Sequence, residues 1–205
     1  MSELFPFAVE HLLSEAEAKK VTEPHWGDLS SVWVSAITEW HSFSEEHRAR
    51  LSSTPFVPPI VVFGFAQSFA REKFSNRDDD GIILCEGLGV FAFYIERKVL
   101  IRFNALARDH IVRQGYQSSD RKELYFRQEP IDGLNNDATR LTAGYLMNEA
   151  KTDLASVAIS CQVGENLVYT FPIDGSNDSL LPLPTPQTSP SPASAAKPLR
   201  KRKPR

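Results

Sequence analysis

The sequence predicts an α+β fold, with N-terminal helices packed on a largely antiparallel sheet of about six strands and a disordered C-terminal tail. Three observations carry that expectation. Residues 1–75 place apolar side chains at helical spacing, and residues 82–172 break into short β-rich runs with hairpin-length gaps. From about Gly175 the core-forming residues stop. A single domain over 1–174 follows, helical over 1–75 and sheet-rich over 82–172, with a Pro/Ser-rich tail over 175–205.

Residues 3–20 read as the first helix, with Ser2 as cap, Pro6 in the first turn, and Phe5, Val9, Leu12, Leu13 and Ala16 on one face. Pro24 closes the connection. A second helix is expected after Asp28 as N-cap, presenting Leu29, Trp33, Ala36, Ile37 and Trp40. Thr54 to Pro59 reads as a connector, and Ile60 to Phe74 as a mostly buried helix ending on Arg71 and Lys73, which suit a C-terminus. Asn76 to Gly81 is a polar turn.

The runs Ile82–Glu86, Val90–Ile95 and Val99–Asn104 then read as strands, separated by Gly87-Leu88-Gly89 and Glu96-Arg97-Lys98. In the third run Val99, Ile101 and Phe103 alternate with Leu100, Arg102 and Asn104, so one face is wholly apolar. Residues 105–127 are expected to be helical in part. Leu141–Met147, Leu154–Cys161 and Leu167–Pro172 form a second meander.

Composition narrows the function classes. Hydrophobic residues make up 41% and charged residues 24%, ordinary globular usage, and thirteen Phe with three Trp supply ample burial. The N-terminus lacks the basic stretch and the unbroken apolar run of a signal peptide, and no run is long enough to span a bilayer. Two cysteines, Cys85 and Cys161, make no disulfide framework, so a cytoplasmic, reduced protein is expected. Six of the 23 basic side chains and none of the 26 acidic ones follow Asp178, which leaves an acidic body and a basic end. Nucleic-acid binding through general charge therefore falls to the tail alone.

Most local motifs dissolve on inspection. Asp78-Asp79-Asp80-Gly81 lacks the alternating ligands and closing Glu of a calcium loop, and Gly87-Leu88-Gly89 lacks the third glycine of a nucleotide fingerprint. His11, His25, His41, His47 and His110 have no metal-ligand spacing, so no resident metal and no cofactor are expected. Cys85, beside Glu86 and far in sequence from any His, reads as a core thiol.

One constellation points to catalysis. Asp80 precedes three strands, and Glu96-Arg97-Lys98 supplies E-x-K after them, within a helix–three-strand–helix–strand order. This arrangement resembles the core of the PD-(D/E)xK nucleases. The resemblance implies a Mg²⁺ held by Asp80 and Glu96, with Lys98 helping to activate water. Here E-x-K falls at a hairpin gap where the family places it within a strand, and Asp79 rather than Pro precedes Asp80.

Three other features point to binding. Trp33 and Trp40 share one side of the second helix and offer an aromatic docking stripe. Arg102 projects from a strongly apolar strand, so it meets an internal carboxylate or lines an anion-binding concavity. Arg200, Lys201, Arg202, Lys203 and Arg205 suit a nonspecific nucleic-acid or anion contact. With no assembled catalytic motif, the leading expectation is a non-enzymatic interaction or regulatory protein. Its acidic body binds a protein partner and its tail adds electrostatic contact, as in an antitoxin or defence-system accessory. The metal-dependent nuclease and a small anionic-ligand sensor using Arg102 are the alternatives.

Overall fold

A computed structural model of the chain describes residues 12–47, 57–87, 90–112, 124–149 and 153–173. The expected tail over 175–205, with Arg200, Lys201, Arg202, Lys203 and Arg205, lies outside the described residues, as do residues 1–11.

The first described helix, α1, spans Glu15–Thr22 and is capped by Ser14. Ser14 Oγ accepts the Glu17 N–H at 3.3 Å, and the Glu17 carboxylate accepts the Ser14 N–H at 2.9 Å. This reciprocal box satisfies two orphan donors, so the helix starts here and Leu12 and Leu13 are not helical. The expected helix over 3–20 is corrected to that extent. A 3₁₀ turn, Glu23–His25, carries Pro24 and leads directly into α2, Trp26–Glu46. The expected cap at Asp28 is also corrected: Asp28 lies within the first turn, and its carboxylate accepts from Arg77 at 2.6 Å and from Lys73 at 3.4 Å. Helix α3 spans Val57–Phe74, three residues longer than expected. Pro58 and Pro59 fit its first turn, where an N–H has no helical partner to lose.

Six strands follow, β1 (Ile82–Gly87), β2 (Val90–Ile95), β3 (Val99–Ala105), β4 (Thr139–Met147), β5 (Leu154–Val163) and β6 (Asn166–Pro172). They lie side by side in chain order, and every neighbouring pair is antiparallel except β3 and β4. Helices on a six-stranded, mostly antiparallel sheet are therefore the architecture. The parallel pair has a consequence. To re-enter the sheet in the same direction the chain must return along its length, and the described parts of that connection, residues 106–112 and 124–138, lie across one face. Within that crossover the described helical structure is one turn at Leu124–Phe126, and residues 113–123 lie outside the described residues.

Strand alternation sorts the side chains into two layers. On the first face, Phe93, Ile95, Val99, Ile101, Phe103, Leu141, Ala143, Tyr145, Val157 and Ile159 are buried under α2 and α3. Trp33 of α2 is fully buried there, its ring 4.5 Å from Tyr145 and 5.8 Å from Phe103, and its Nε1–H donates to Ala143 O at 3.1 Å. Phe74 of α3 packs 5.0 Å from Phe93. On the second face, Leu100 and Ala158 meet Leu106, Val112, Tyr125, Phe126, Ile131 and Leu134 of the crossover. Gly144 is required here. A Cβ at that position would lie 2.4 Å from Leu106 Cγ and 2.8 Å from Asn104 O, so only a hydrogen lets the crossover seat.

Candidate functional site

The second face differs from the first in chemistry. Its buried residues include Arg102, Arg140, Thr142, Ser160 and Gln162, with His110 from the crossover. Strand register sets several of them in a row, since Cys85 pairs with Ala92, Ala92 with Arg102, Arg102 with Thr142, Thr142 with Ser160, and Ser160 with Thr170. Most of this polarity holds the crossover down. Ser160 Oγ donates to His110 O at 2.7 Å, and Gln162 Oε1 accepts the Val112 N–H at 2.8 Å. Gln128 reaches from the crossover to β4 and β5, donating to Arg140 O at 2.8 Å and Gln162 O at 3.2 Å and accepting the Arg140 N–H at 2.9 Å.

Two arginines stand diagonally across β3 and β4, Arg102 opposite Thr142 and Arg140 opposite Leu100. Both are almost fully buried, at 5% and 2% exposure. Their surroundings diverge. Arg140 donates to Leu124 O at 2.9 Å, to Glu129 O, and to Asn136 Oδ1 at 2.9 Å, so its guanidinium pins three points of the crossover. Arg102 has its Nη1 buried without a hydrogen-bond partner among the described residues. Its guanidinium lies over Tyr125, 4.8 Å from the ring centre, and 5.8 Å from Phe126. Tyr125 also receives Arg140 at 5.8 Å, and its hydroxyl stands 2.8 Å from Leu100 O and 2.7 Å from Leu141 O. The phenol is thus locked against the β3–β4 ladder, and burial pushes its pKa far up, which keeps it neutral.

Magnitudes show why Arg102 is unusual. Burying an unpaired ion costs several kcal/mol, whereas a desolvated cation–π contact returns about 2 kcal/mol. Burial pulls the Arg102 guanidinium below the usual arginine range, and among the described residues the titratable neighbour that favours its charge is Tyr125, a neutral phenol. An arginine nonetheless stays protonated in proteins. A carboxylate or other anion at its free edge would supply what the rings do not. The sequence reading offered an internal ion pair or an anion-binding concavity for Arg102. No carboxylate of the described strand residues faces it, and it lies under the crossover rather than under the helices.

The nuclease constellation sits elsewhere, at the corner where the α1–α2 junction, the end of α3 and the β2–β3 turn meet. Asp80 closes a 3₁₀ turn, Asp78–Asp80, and accepts from Arg77 Nε at 2.8 Å. Glu96 and Arg97 take φ values of 49° and 54°, as a tight mirror-image hairpin turn requires, and the Lys98 N–H donates to Ile95 O at 3.0 Å. Glu96 is exposed and paired with Lys98 at 2.7 Å. E-x-K therefore forms a turn and not a strand. The Glu96 N–H donates to Gly81 O at 2.9 Å, so the two acidic positions are neighbours, each engaged by a cation of its own. Among the described residues no three His, Cys, Asp or Glu side chains are grouped to hold a metal ion. His25 is buried beside this corner with its Nδ1 unpartnered. Burial first, and then the Arg77 charge, lower its pKa. Asp28 is held below the usual carboxylate range: burial would raise it, and the bonds and charges of Arg77 and Lys73 outweigh that.

The aromatic stripe is divided. Trp33 is a core residue and unavailable to a partner, whereas Trp40 is half-buried, 6.2 Å from Phe43. Trp26 packs on Phe171 at 5.8 Å. Cys161 is buried, its thiol pushed up to about 11 by burial, and burial also raises Cys85. Neither is a thiolate near neutral pH. No described helix is long and apolar enough to cross a membrane. Sequence reasoning singled out Arg102 but missed Tyr125, Phe126 and Thr142 around it. The signal available was the parallel register, which no local pattern encodes.

No protein-family model, curated protein or solved structure matches this chain.

Proposed function

We propose that the chain is a non-enzymatic binding protein that takes up a small anion at Arg102, on the crossover face of its sheet, and so acts as an anionic-ligand sensor. One observation carries this reading: a guanidinium at 5% exposure, beside aromatic rings, with a buried nitrogen that has no acceptor among the described residues. Structural arginines at such depth are held by carbonyls or carboxylates, as Arg140 is two residues along the neighbouring ladder. Receptor arginines are left open for the group they bind.

Calorimetric titration of the full chain with acetate, phosphate and sulfate at constant ionic strength tests the reading. Saturable one-to-one binding of at least one anion, lost in Arg102→Gln, is expected. Identical heats in both proteins would sink it.

A second reading, docking of a protein partner, is favoured by the helical layer. Ile60 of α3 is 71% exposed and Val34 of α2 is 49% exposed, alongside the half-buried Trp40. Replacing Ile60 and Val34 by Lys leaves anion binding at Arg102 intact on either reading, and removes a partner only on the second.

A further inference from the structure

We infer that protonation of His25 unlocks the corner where the α1–α2 junction meets the end of α3 and the β2–β3 turn, by drawing Asp28 away from Arg77. The inference goes beyond the anion reading and shares no residue with it. The corner is built around a clamp. Arg77 donates to Asp28 of α2 at 2.6 Å and to Asp80 at 2.8 Å, so one guanidinium ties the start of α2 to the 78–80 turn that enters β1. Lys73 adds a longer contact to Asp28, at 3.4 Å. The turn is tied in its own right to the sheet, since Gly81 O accepts the Glu96 N–H and Lys98 holds the Glu96 carboxylate. His25 sits where these parts meet. It is 8% exposed, and the charged groups that face it are Arg77, Asp28, Asp80 and Glu96.

Three features let this position accept a neutral imidazole and resist a charged one. The Nδ1 atom is buried and has no hydrogen-bond partner among the described residues. A neutral ring carries a proton on one nitrogen and an imidazolium on both, so charging His25 makes Nδ1 a cationic donor without an acceptor. His25 also holds the N-cap position of α2 with no side-chain capping bond, and a cation there meets the positive end of the helix dipole. Arg77 adds a like charge at close range.

The relief at hand is a carboxylate. Asp28 stands at the N3 position of α2, from which a side chain can reach back to the N-cap residue, as in a capping box. It is already shared between Arg77 and Lys73. A protonated His25 that takes Asp28 leaves Arg77 bound to Asp80, and the α1–α2 junction then parts from the turn into β1. The β3–β4 and β4–β5 ladders make no use of this clamp and stay closed. Burial first, and then the Arg77 charge, lower the His25 pKa, so the open form binds the proton more readily. The corner is therefore closed above about pH 6.5 and opens as pH falls through the lower folded value.

The deciding experiment follows amide hydrogen exchange of the full chain between pH 7.5 and 5, corrected for the intrinsic rate, beside an NMR titration of the His25 ring. Exchange over residues 22–28 and 77–82 should quicken by at least about tenfold as His25 protonates, while β4 and β5 keep their protection. His25→Gln should abolish the acceleration, and Asp28→Asn should show the fast corner already at pH 7.5. A corner that stays protected after the His25 ring has titrated overturns the inference. Acceleration shared equally by the corner, β4 and β5 does so too, because it reports global unfolding. Acceleration that persists in His25→Gln assigns the acid response to the carboxylates and also overturns it. Should His25→Gln not fold, the wild-type protein still decides: coincident midpoints for the His25 ring and the corner support the link, and separate midpoints break it.

Discussion

On one side of β4, Leu141, Ala143 and Tyr145 meet Trp33 and the helices; on the other, the alternating residues Arg140, Thr142 and Gly144 meet the crossover. Both layers are buried, yet they are held differently. The helical face is cemented by aromatic packing, and Trp33 reaches into the ladder to donate to Ala143 O. The crossover face is held by directed bonds from Arg140, Gln128, Gln162, Ser160 and Tyr125 to backbone groups. The difference follows from the covering segment. A helix satisfies its own backbone, so it can lie on an apolar surface. An irregular crossover cannot, and its buried carbonyls and N–H groups draw partners from the sheet. Arg102 departs from that pattern, since its guanidinium bonds to no backbone group among the described residues.

The largest expected effect tests the apolar face. Trp33→Ala removes a fully buried indole and leaves Ala143 O without its donor, and urea unfolding should register a loss of about 3–5 kcal/mol. The two arginines supply the sharpest contrast. Arg140→Met strands three acceptors of the crossover and should cost about 3 kcal/mol in the same assay. Arg102→Met in chloride buffer, with no organic anion present, should instead stabilise the fold by about 1–2 kcal/mol, because it relieves an unpaired buried charge. Equal losses for both substitutions would break the distinction between a structural and a receptor arginine.

The smallest effect is a pH slope at the charged corner. His25 is buried with its pKa lowered, by burial first and then by Arg77, while Asp28, Asp80 and Glu96 pull the other way. The unfolded chain therefore binds the proton more readily than the folded one. His25 contributes stability that is fully present above about pH 6.5 and is lost as pH falls through its lower folded value. Urea midpoints measured between pH 7.5 and 5 should decline less steeply in His25→Gln than in the wild type. His110, whose pKa burial also lowers, provides the same test on the crossover face through His110→Asn.

Much of the fold was legible in local pattern. The period-two alternation of Val99–Asn104 placed Val99, Ile101 and Phe103 on one apolar face and isolated Arg102 on the other, and the structure keeps that division. Helix ends were read less well. Ser14-Glu15-Ala16-Glu17 is a capping box in plain sequence, but the apolar residues before it suggested an earlier start. Asp28 looked like a cap because it is a short acidic residue before an apolar run, and its true partner, Arg77, lies far along the chain.

Sequence alone determined the order of helices and strands, the number of strands, and the presence of a cation in an apolar run, because each depends on side-chain periodicity within a few residues. Only the tertiary structure decided that β3 and β4 run parallel, that residues 106–112 and 124–138 cover the second face, and that Arg102 and Arg140 share Tyr125 while Arg102 Nη1 has no hydrogen-bond partner among the described residues. It also decided that Trp33 belongs to the core. Those outcomes rest on register and crossover, which bring together residues dozens of positions apart. A local pattern has no term for that distance.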